Sequence, residues 1–144
     1  MLVDVLRAEV PDAISLVAEV DGRIVGHIFF APVTLEPALP GIRIAGLAPL
    51  AVSPPFQRKG VGSALVYEGL QSCRARGFHA VVVLGHPEYY ARFGFVPAHE
   101  EGLKCEFPAD PEVYRVLAFS PVFTGQSTVV RYPRAFHGVG AQSG

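Results

Sequence analysis

Along this chain the apolar positions switch between two spacings, and the switches mark the elements. From residue 14 to 36, "ISLVAEVDGRIVGHIFFAPVTLE", β-branched and aromatic residues form two runs on either side of Asp21-Gly22. That dipeptide supplies the positive φ angles of a two-residue hairpin turn, so two antiparallel strands are expected. A loop rich in Pro and Gly, "EPALPG", leads into a third run, "IRIAGLAPLAV". Pro49 lies inside it and cannot donate to a ladder, which predicts a bulge or broken pairing there. From Gln57 to Arg76 the spacing becomes helical, with Val61, Leu65, Val66, Gly69, Leu70 and Cys73 on one stripe. Gly77 then supplies a left-handed stop. "HAVVVLG" is apolar almost throughout, as a central strand buried on both faces would be. Strand, helix and apolar strand in this order predict a right-handed parallel crossover.

Beyond it come a short helix, "PEYYARFG", a strand start, "FVPA", and a further strand, "VYRVLAFSP". At the other end "LVDVLRAE", residues 2–9, reads as a short helix with Leu2, Val5 and Leu6 on one face and Pro11 helping to end it. The tail from His137 is expected to be mobile, leaving one domain over residues 1–136.

A chain of 144 residues can bury a real core, and with half of them hydrophobic and 17% charged it is not a disordered polymer. The net charge of −1 offers no global field to nucleic acid or membrane, and "RYPRAFH" is too short a basic and aromatic stretch for a nucleic-acid surface. The apolar runs are too short to span a bilayer, and no charged leader with a cleavage site precedes the fold. Cys73 and Cys105 lack the spacing of a metal site or a disulfide framework, and Cys73 falls on the buried helix stripe. A cytoplasmic protein without metal is the expectation.

The chemistry starts at "FQRKGVGSALV", where Gly60 and Gly62 open a helix beside Arg58 and Lys59. Each glycine costs a helix about 1 kcal/mol relative to alanine, so two need a reason. A helix N-terminus leaves N–H groups without intrahelical partners and carries partial positive charge, and glycines let an anion approach them. A phosphate or pyrophosphate suits the place; the alternative is that the glycines only permit close helix–sheet packing. A P-loop does not fit, because Lys59 precedes the glycines. Nor does a Rossmann turn, which needs a third glycine where Leu65 stands and an acidic residue where the next strand ends in Gly85-His86.

"LAVSPPFQRKGVGSALV" resembles the acetyl-CoA-binding segment of the GCN5-related N-acetyltransferases (GNAT). That family's Q/R-x-x-G-x-G/A pattern is met by Gln57-Arg58-Lys59-Gly60-Val61-Gly62. Downstream, "YYARFGF" resembles the family's second marker, a tyrosine four residues before Gly-Phe, which designates Tyr90 ahead of Gly94-Phe95. Two markers in order, joined by a helix and a buried strand, are more specific than either alone. The resemblance covers residues 15–97 well; "LAPLAV", "VVLGHPEYYARFGF" and "GLKCEF" together are similar to a branch of predicted bacterial acetyltransferases.

The resemblance implies an α/β (α+β) fold: a mixed, mostly antiparallel sheet with a splayed parallel central strand pair, flanked by helices. It implies that pantetheine lies in the splay along Leu50, Ala51 and Val52, and that pyrophosphate sits on the N–H groups of Arg58, Lys59, Gly60, Val61, Gly62 and Ser63. An amine attacks acetyl-CoA directly in a ternary complex, with the Val52 N–H as oxyanion donor and Tyr90 as acid toward the leaving thiolate. Tyr89 is the expected packing residue of the pair, although a one-residue shift exchanges the two. Many relatives carry a carboxylate base on the fourth strand; "IRIAGLAPLAV" has none, which leaves Glu19, His27, Glu36, His86 or water. His86 ends a strand beside the expected thiol, or else caps the next helix.

Family members usually begin with a strand and a helix before the segment matching "LVDVLRAE", and here Met1 stands directly before it, so either the start is late or the first strand and helix are missing. A homodimer covering the exposed edge is a possible consequence. The acceptor is an amine on a small molecule, peptide or protein. The competing function is a non-catalytic acyl-CoA-binding sensor or interaction module; a nucleotide-binding protein fits less well, because both nucleotide motifs fail.

Overall fold

A computed structural model describes residues 2–6, by backbone, and 12–133. Strands β1 (Leu2–Leu6), β2 (Ile14–Val20), β3 (Arg23–Glu36), β4 (Ile44–Val52) and β5 (Ala80–Leu84) lie side by side in that order. They continue into β8 (Tyr114–Ala118) and then β6 (Val96–Pro97), while β7 (Leu103–Cys105) and β9 (Thr128–Arg131) form a flap on the far end of β3. Helix α1 (Val61–Ala75) connects β4 to β5, and α2 (Pro87–Ala91) follows β5. The tail expected to be mobile lies outside the described residues. Among those described, no helix is long and apolar enough to cross a membrane.

The hairpin forms at Asp21 (φ 50°) and Gly22 (φ 75°), with β2 and β3 antiparallel on either side. Helix α1 buries Val61, Leu65, Val66, Gly69, Leu70 and Cys73, the residues of the helical stripe. It ends in a Schellman motif: Gly77 at φ 86°, with the Phe78 N–H on the Cys73 carbonyl and the Gly77 N–H on that of Arg74. Strand β5 pairs parallel with β4 and is buried on both faces, Val81 and Val83 toward α1, Ala80 and Val82 toward a second core. The two cores meet at the sheet, and the functional geometry lies where its strands part.

Two expectations are corrected. Residues 2–6 form a strand, not the start of a helix, and pair antiparallel with β2 from Leu2↔Glu19 to Leu6↔Ser15. Alternating and helical spacing cannot be told apart over five residues; the β2 edge decides. Strand β1 thereby lies at one edge of the sheet, with β2 interior. Second, α1 starts at Val61 rather than Gln57, and Gly60 at φ 86° is its N-cap. The flap strands β7 and β9 were not anticipated, because segments of three and four residues carry too little periodicity to read.

Candidate active site

Strand β4 is regular up to Leu47 and irregular beyond it. Opposite it on β3 the register runs Ile28↔Leu50 and then Phe30↔Leu47, so β4 carries one extra residue across Ala48-Pro49. This is the bulge that Pro49 predicts. The parallel pairing with β5 runs from Ile44↔Ala80 to Leu47↔Val83 and stops there. Past Leu47 the two central strands part.

The hydrogen-bond alternation of β3 and β4 determines what faces that gap. The Ser53 N–H bonds the Val25 carbonyl at 2.8 Å, which makes Val25 and Ser53 a bonded pair. Alternation then makes Gly26↔Val52 a non-bonded pair, His27↔Ala51 a bonded one and Ile28↔Leu50 a non-bonded one. The N–H and C=O groups of Leu50 and Val52 therefore turn away from β3 toward the gap, whereas those of Ala51 turn to β3. The Val52 carbonyl is taken by Gln57 Nε2 at 2.9 Å, tying the strand end to the turn that follows.

That turn delivers the cradle. After a one-turn 3-10 helix (Pro54–Phe56), Arg58 (φ 62°) and Gly60 (φ 86°) reverse the chain into α1. The first turn closes with the Ala64 N–H on the Gly60 carbonyl at 3.0 Å, so the N–H groups of Val61, Gly62 and Ser63 project from the helix end without intrahelical partners. They face a cleft of about 690 Å³ lined by Val52, Gln57, Arg58, Gly60, Gly62, Ser63, Tyr89 and Arg92. Lys59 is exposed beside it and Val61 is buried. Gly62 has a steric reason: a Cβ there would stand 3.0 Å from the Tyr89 hydroxyl and 3.6 Å from Val52 Cγ2, both in the cleft wall.

The two tyrosines separate. Tyr90 is fully buried, edge-on to Phe95 and Tyr89, with its ring against Gly85 at the end of β5. Tyr89, expected to be the packing partner, is half-buried and lines the cleft. Arg92, one turn after Tyr89, carried no role in the sequence reading. Its guanidinium lies 5.1 Å from the Tyr89 ring centre and donates to Ser63 Oγ at 3.2 Å. The signal that could have found it is its spacing, i+3 from Tyr89 on one helix face.

The remaining polar candidates scatter. His86 is exposed, holds the N-cap position of α2 and makes no side-chain cap bond. His27 is opposite Ala51, with Nε2 2.8 Å from Ser15 Oγ; burial lowers its pKa, so the ring is neutral at pH 7. Glu19, half-buried, stands near the turn end of β2, opposite Ile24. Glu36 pairs with Arg131 at the far end of β3, six residues or roughly 20 Å beyond the gap's start at Phe30. The Cys73 thiol is fully buried and pushed up to about 12 by desolvation.

A parallel strand pair that parts at a bulge, beside a glycine-capped helix end, sets this sheet apart from an ordinary α/β crossover. Residues 3–95 match the Acetyltransferase (GNAT) family. The chain belongs to that family. It is accordingly an acyltransferase by class. It is 35% identical over 138 residues to the uncharacterized N-acetyltransferase YhbS of Escherichia coli K12, spanning 94% of this chain and 81% of that one. The crystal structure of E. coli YhbS in complex with CoA superposes with a TM-score of 0.81 at 34% identity, covering 90% of this chain and 72% of that one. A GNAT acetyltransferase from Brucella melitensis in complex with acetyl-CoA gives 0.66 at 39% identity, covering 85% and 68%.

Proposed function

We propose that the protein transfers an acetyl group from acetyl-CoA to a primary amine by direct attack in a ternary complex. The observation that carries this reading is the contiguity of gap and cradle. The backbone groups of Leu50 and Val52 face the gap, and a short turn later the N–H groups of Val61 to Ser63 face the cleft. CoA joins an extended, amide-bearing arm to a pyrophosphate, and those two surfaces suit its two parts. The arm adds to β4 as a strand would. The pyrophosphate rests on the helix end, with Arg58 and Arg92 adding charge. The relatives crystallised with CoA and acetyl-CoA support the choice of ligand.

The transfer then asks little of side chains. A deprotonated amine is already a nucleophile, so the acyl carbon needs only an oxyanion donor, and the gap-facing Val52 N–H supplies it. The departing thiolate needs a proton, and Tyr90, packed against Gly85 at the mouth of the gap, donates it. Tyr89, on the cleft side, is the exchange partner for that role. His86, exposed one residue beyond Gly85, takes the proton of the incoming ammonium.

Isothermal calorimetry with acetyl-CoA, CoA and ATP, followed by thiol release over an amine panel, tests the reading. Binding of both CoA species with release of thiol is expected; ATP binding without CoA binding overturns it. The absence of a carboxylate on β4 favours a second reading, an acyl-CoA sensor, which tight CoA binding without any thiol release would support.

A further inference from the structure

A second cavity, of about 410 Å³, lies between β7, the loop after it and β8, and its size is that of a small-molecule site. Its inner wall is made by Leu103 and Tyr114, both buried, and by the half-buried Cys105 and Phe107. Pro108, Ala109 and Pro111, all exposed, line its mouth. The polar groups of the lining are engaged elsewhere or face water. Glu106 accepts the Tyr132 N–H and stands 3.7 Å from Arg131 Nη1. His99 is exposed, with Nε2 3.9 Å from Glu112, and the exposure of Lys104 leaves its charge in water. The Tyr114 hydroxyl bonds that of Tyr132 at 2.9 Å, and burial pushes both phenols up, so they stay neutral. Burial likewise keeps the Cys105 thiol protonated, as a small apolar group. An interior of this kind suits hydrocarbon rather than an ion.

The cavity borders the closed end of the gap. Strands β4 and β5 hold together up to Leu47↔Val83, and Leu84 is the next residue on β5. Leu84 pairs with Tyr114 of β8, so one wall of the cavity stands a strand spacing, about 4.8 Å, from the point of parting. Leu84 and Tyr114 belong with Ala80 and Val82 to the core on the face away from α1. A thioester in the gap extends in two opposite directions. Pantetheine runs from the sulfur toward the cradle at the start of α1, so the acyl group points into the closed end. An acetyl group stops there, whereas a longer chain continues past Leu84 onto Tyr114 and into the cavity.

We propose that this cavity is an acyl pocket, and that the protein takes medium-chain acyl-CoA thioesters such as octanoyl-CoA as donors besides acetyl-CoA. The proposal rests on the transferase reading for where the thioester lies; the apolar cavity itself does not. Each methylene moved from water into an apolar wall is worth about fourfold in affinity. An octanoyl chain that buries a few of its methylenes against Leu103, Phe107 and Tyr114 therefore gains more than tenfold over acetyl.

The test is calorimetry of the full chain with acetyl-CoA and octanoyl-CoA. Octanoyl-CoA binds the wild type at least tenfold more tightly than acetyl-CoA. Ala109→Trp, an exposed loop substitution that fills the cavity, removes that difference and leaves the affinity for acetyl-CoA unchanged. Should the variant fail to fold, octanoyl-CoA carrying a terminal diazirine reads the pocket in the wild type. Irradiation then labels the stretch from Leu103 to Tyr114, as located by peptide mass spectrometry. Octanoyl-CoA binding no tighter than acetyl-CoA, a gain that Ala109→Trp leaves intact, or label confined to other segments overturns the proposal. Thiol release over the amine panel is read separately. A chain-length gain lost in Ala109→Trp, without thiol release from either thioester, overturns the transferase reading alone. Thiol release from acetyl-CoA without a chain-length gain overturns this pocket alone.

Discussion

Replacing Gly85 by alanine asks whether Tyr90 acts on the thiolate or only fills the core. A Cβ at Gly85 would stand 3.1 Å from Tyr90 Cδ2 and 3.5 Å from Cζ, and closer still to Cε2. The ring has little room to yield, because Phe95 at 5.6 Å and Tyr89 at 5.1 Å hold it edge-on and it is fully buried. Overpacking of this kind costs about 1–3 kcal/mol. The lower conformational entropy of alanine in the unfolded chain returns about 0.5–1 kcal/mol. The net is a loss of roughly 1–2 kcal/mol, which at this chain length lowers Tm by several degrees. The kinetic consequence is larger, since displacing a reacting group by about 1 Å costs on the order of 100-fold in rate. Gly85→Ala is therefore expected to lower kcat for CoA release by at least tenfold while the KM for acetyl-CoA stays within about threefold. Tyr90→Phe should lower kcat likewise, and the double variant should be no slower than Tyr90→Phe alone. A Gly85→Ala protein that melts earlier but turns over at the wild-type rate, with Tyr90→Phe equally active, would refute the reasoning. The acid would then be sought at Tyr89, in the cleft.

Three further outcomes follow from the same geometry. Arg92→Ala should weaken CoA binding about fivefold through loss of roughly 1 kcal/mol of charge at the cradle, less so at high salt; a salt-independent change argues against an electrostatic role. Gly69→Ala gains about 1 kcal/mol of helix propensity but places a Cβ 2.5 Å from Phe30 Cζ. Its urea midpoint should fall, and a rise would show that Phe30 moves aside freely. Burial holds the His27 pKa below 6.5, so as pH falls the unfolded chain binds a proton before the folded one does. The stability of the neutral ring is complete above about pH 6.5 and is lost as pH drops toward the depressed value. His27→Gln should flatten the fall of Tm between pH 7.5 and 5, and an unchanged slope excludes His27 as its source.

What could be read from the chain was whatever repeats locally. The α1 stripe, the Asp21-Gly22 turn, the bulge at Pro49 and the Gly77 stop each depend on residues within a few positions of one another. The glycine-capped start of α1 belongs to this class, because a helix end and its glycines are contiguous in sequence. Tertiary structure decided the rest. Whether "LVDVL" became helix or strand depended on the bonding edge of β2, and the strands of the flap exist only because β7, β9 and the end of β3 pair across the chain. The sequence marker singled out Tyr90 and left Tyr89 as the packing residue, whereas the structure buries Tyr90 and lines the cleft with Tyr89; one helical position, about 100° of rotation, separates them. Glu106 went unnoticed for the same reason. Its carboxylate is held by Arg131 and Tyr132, 25 and 26 residues further on. Local spacing encodes which element forms, but a charge buried by distant segments has no local signature.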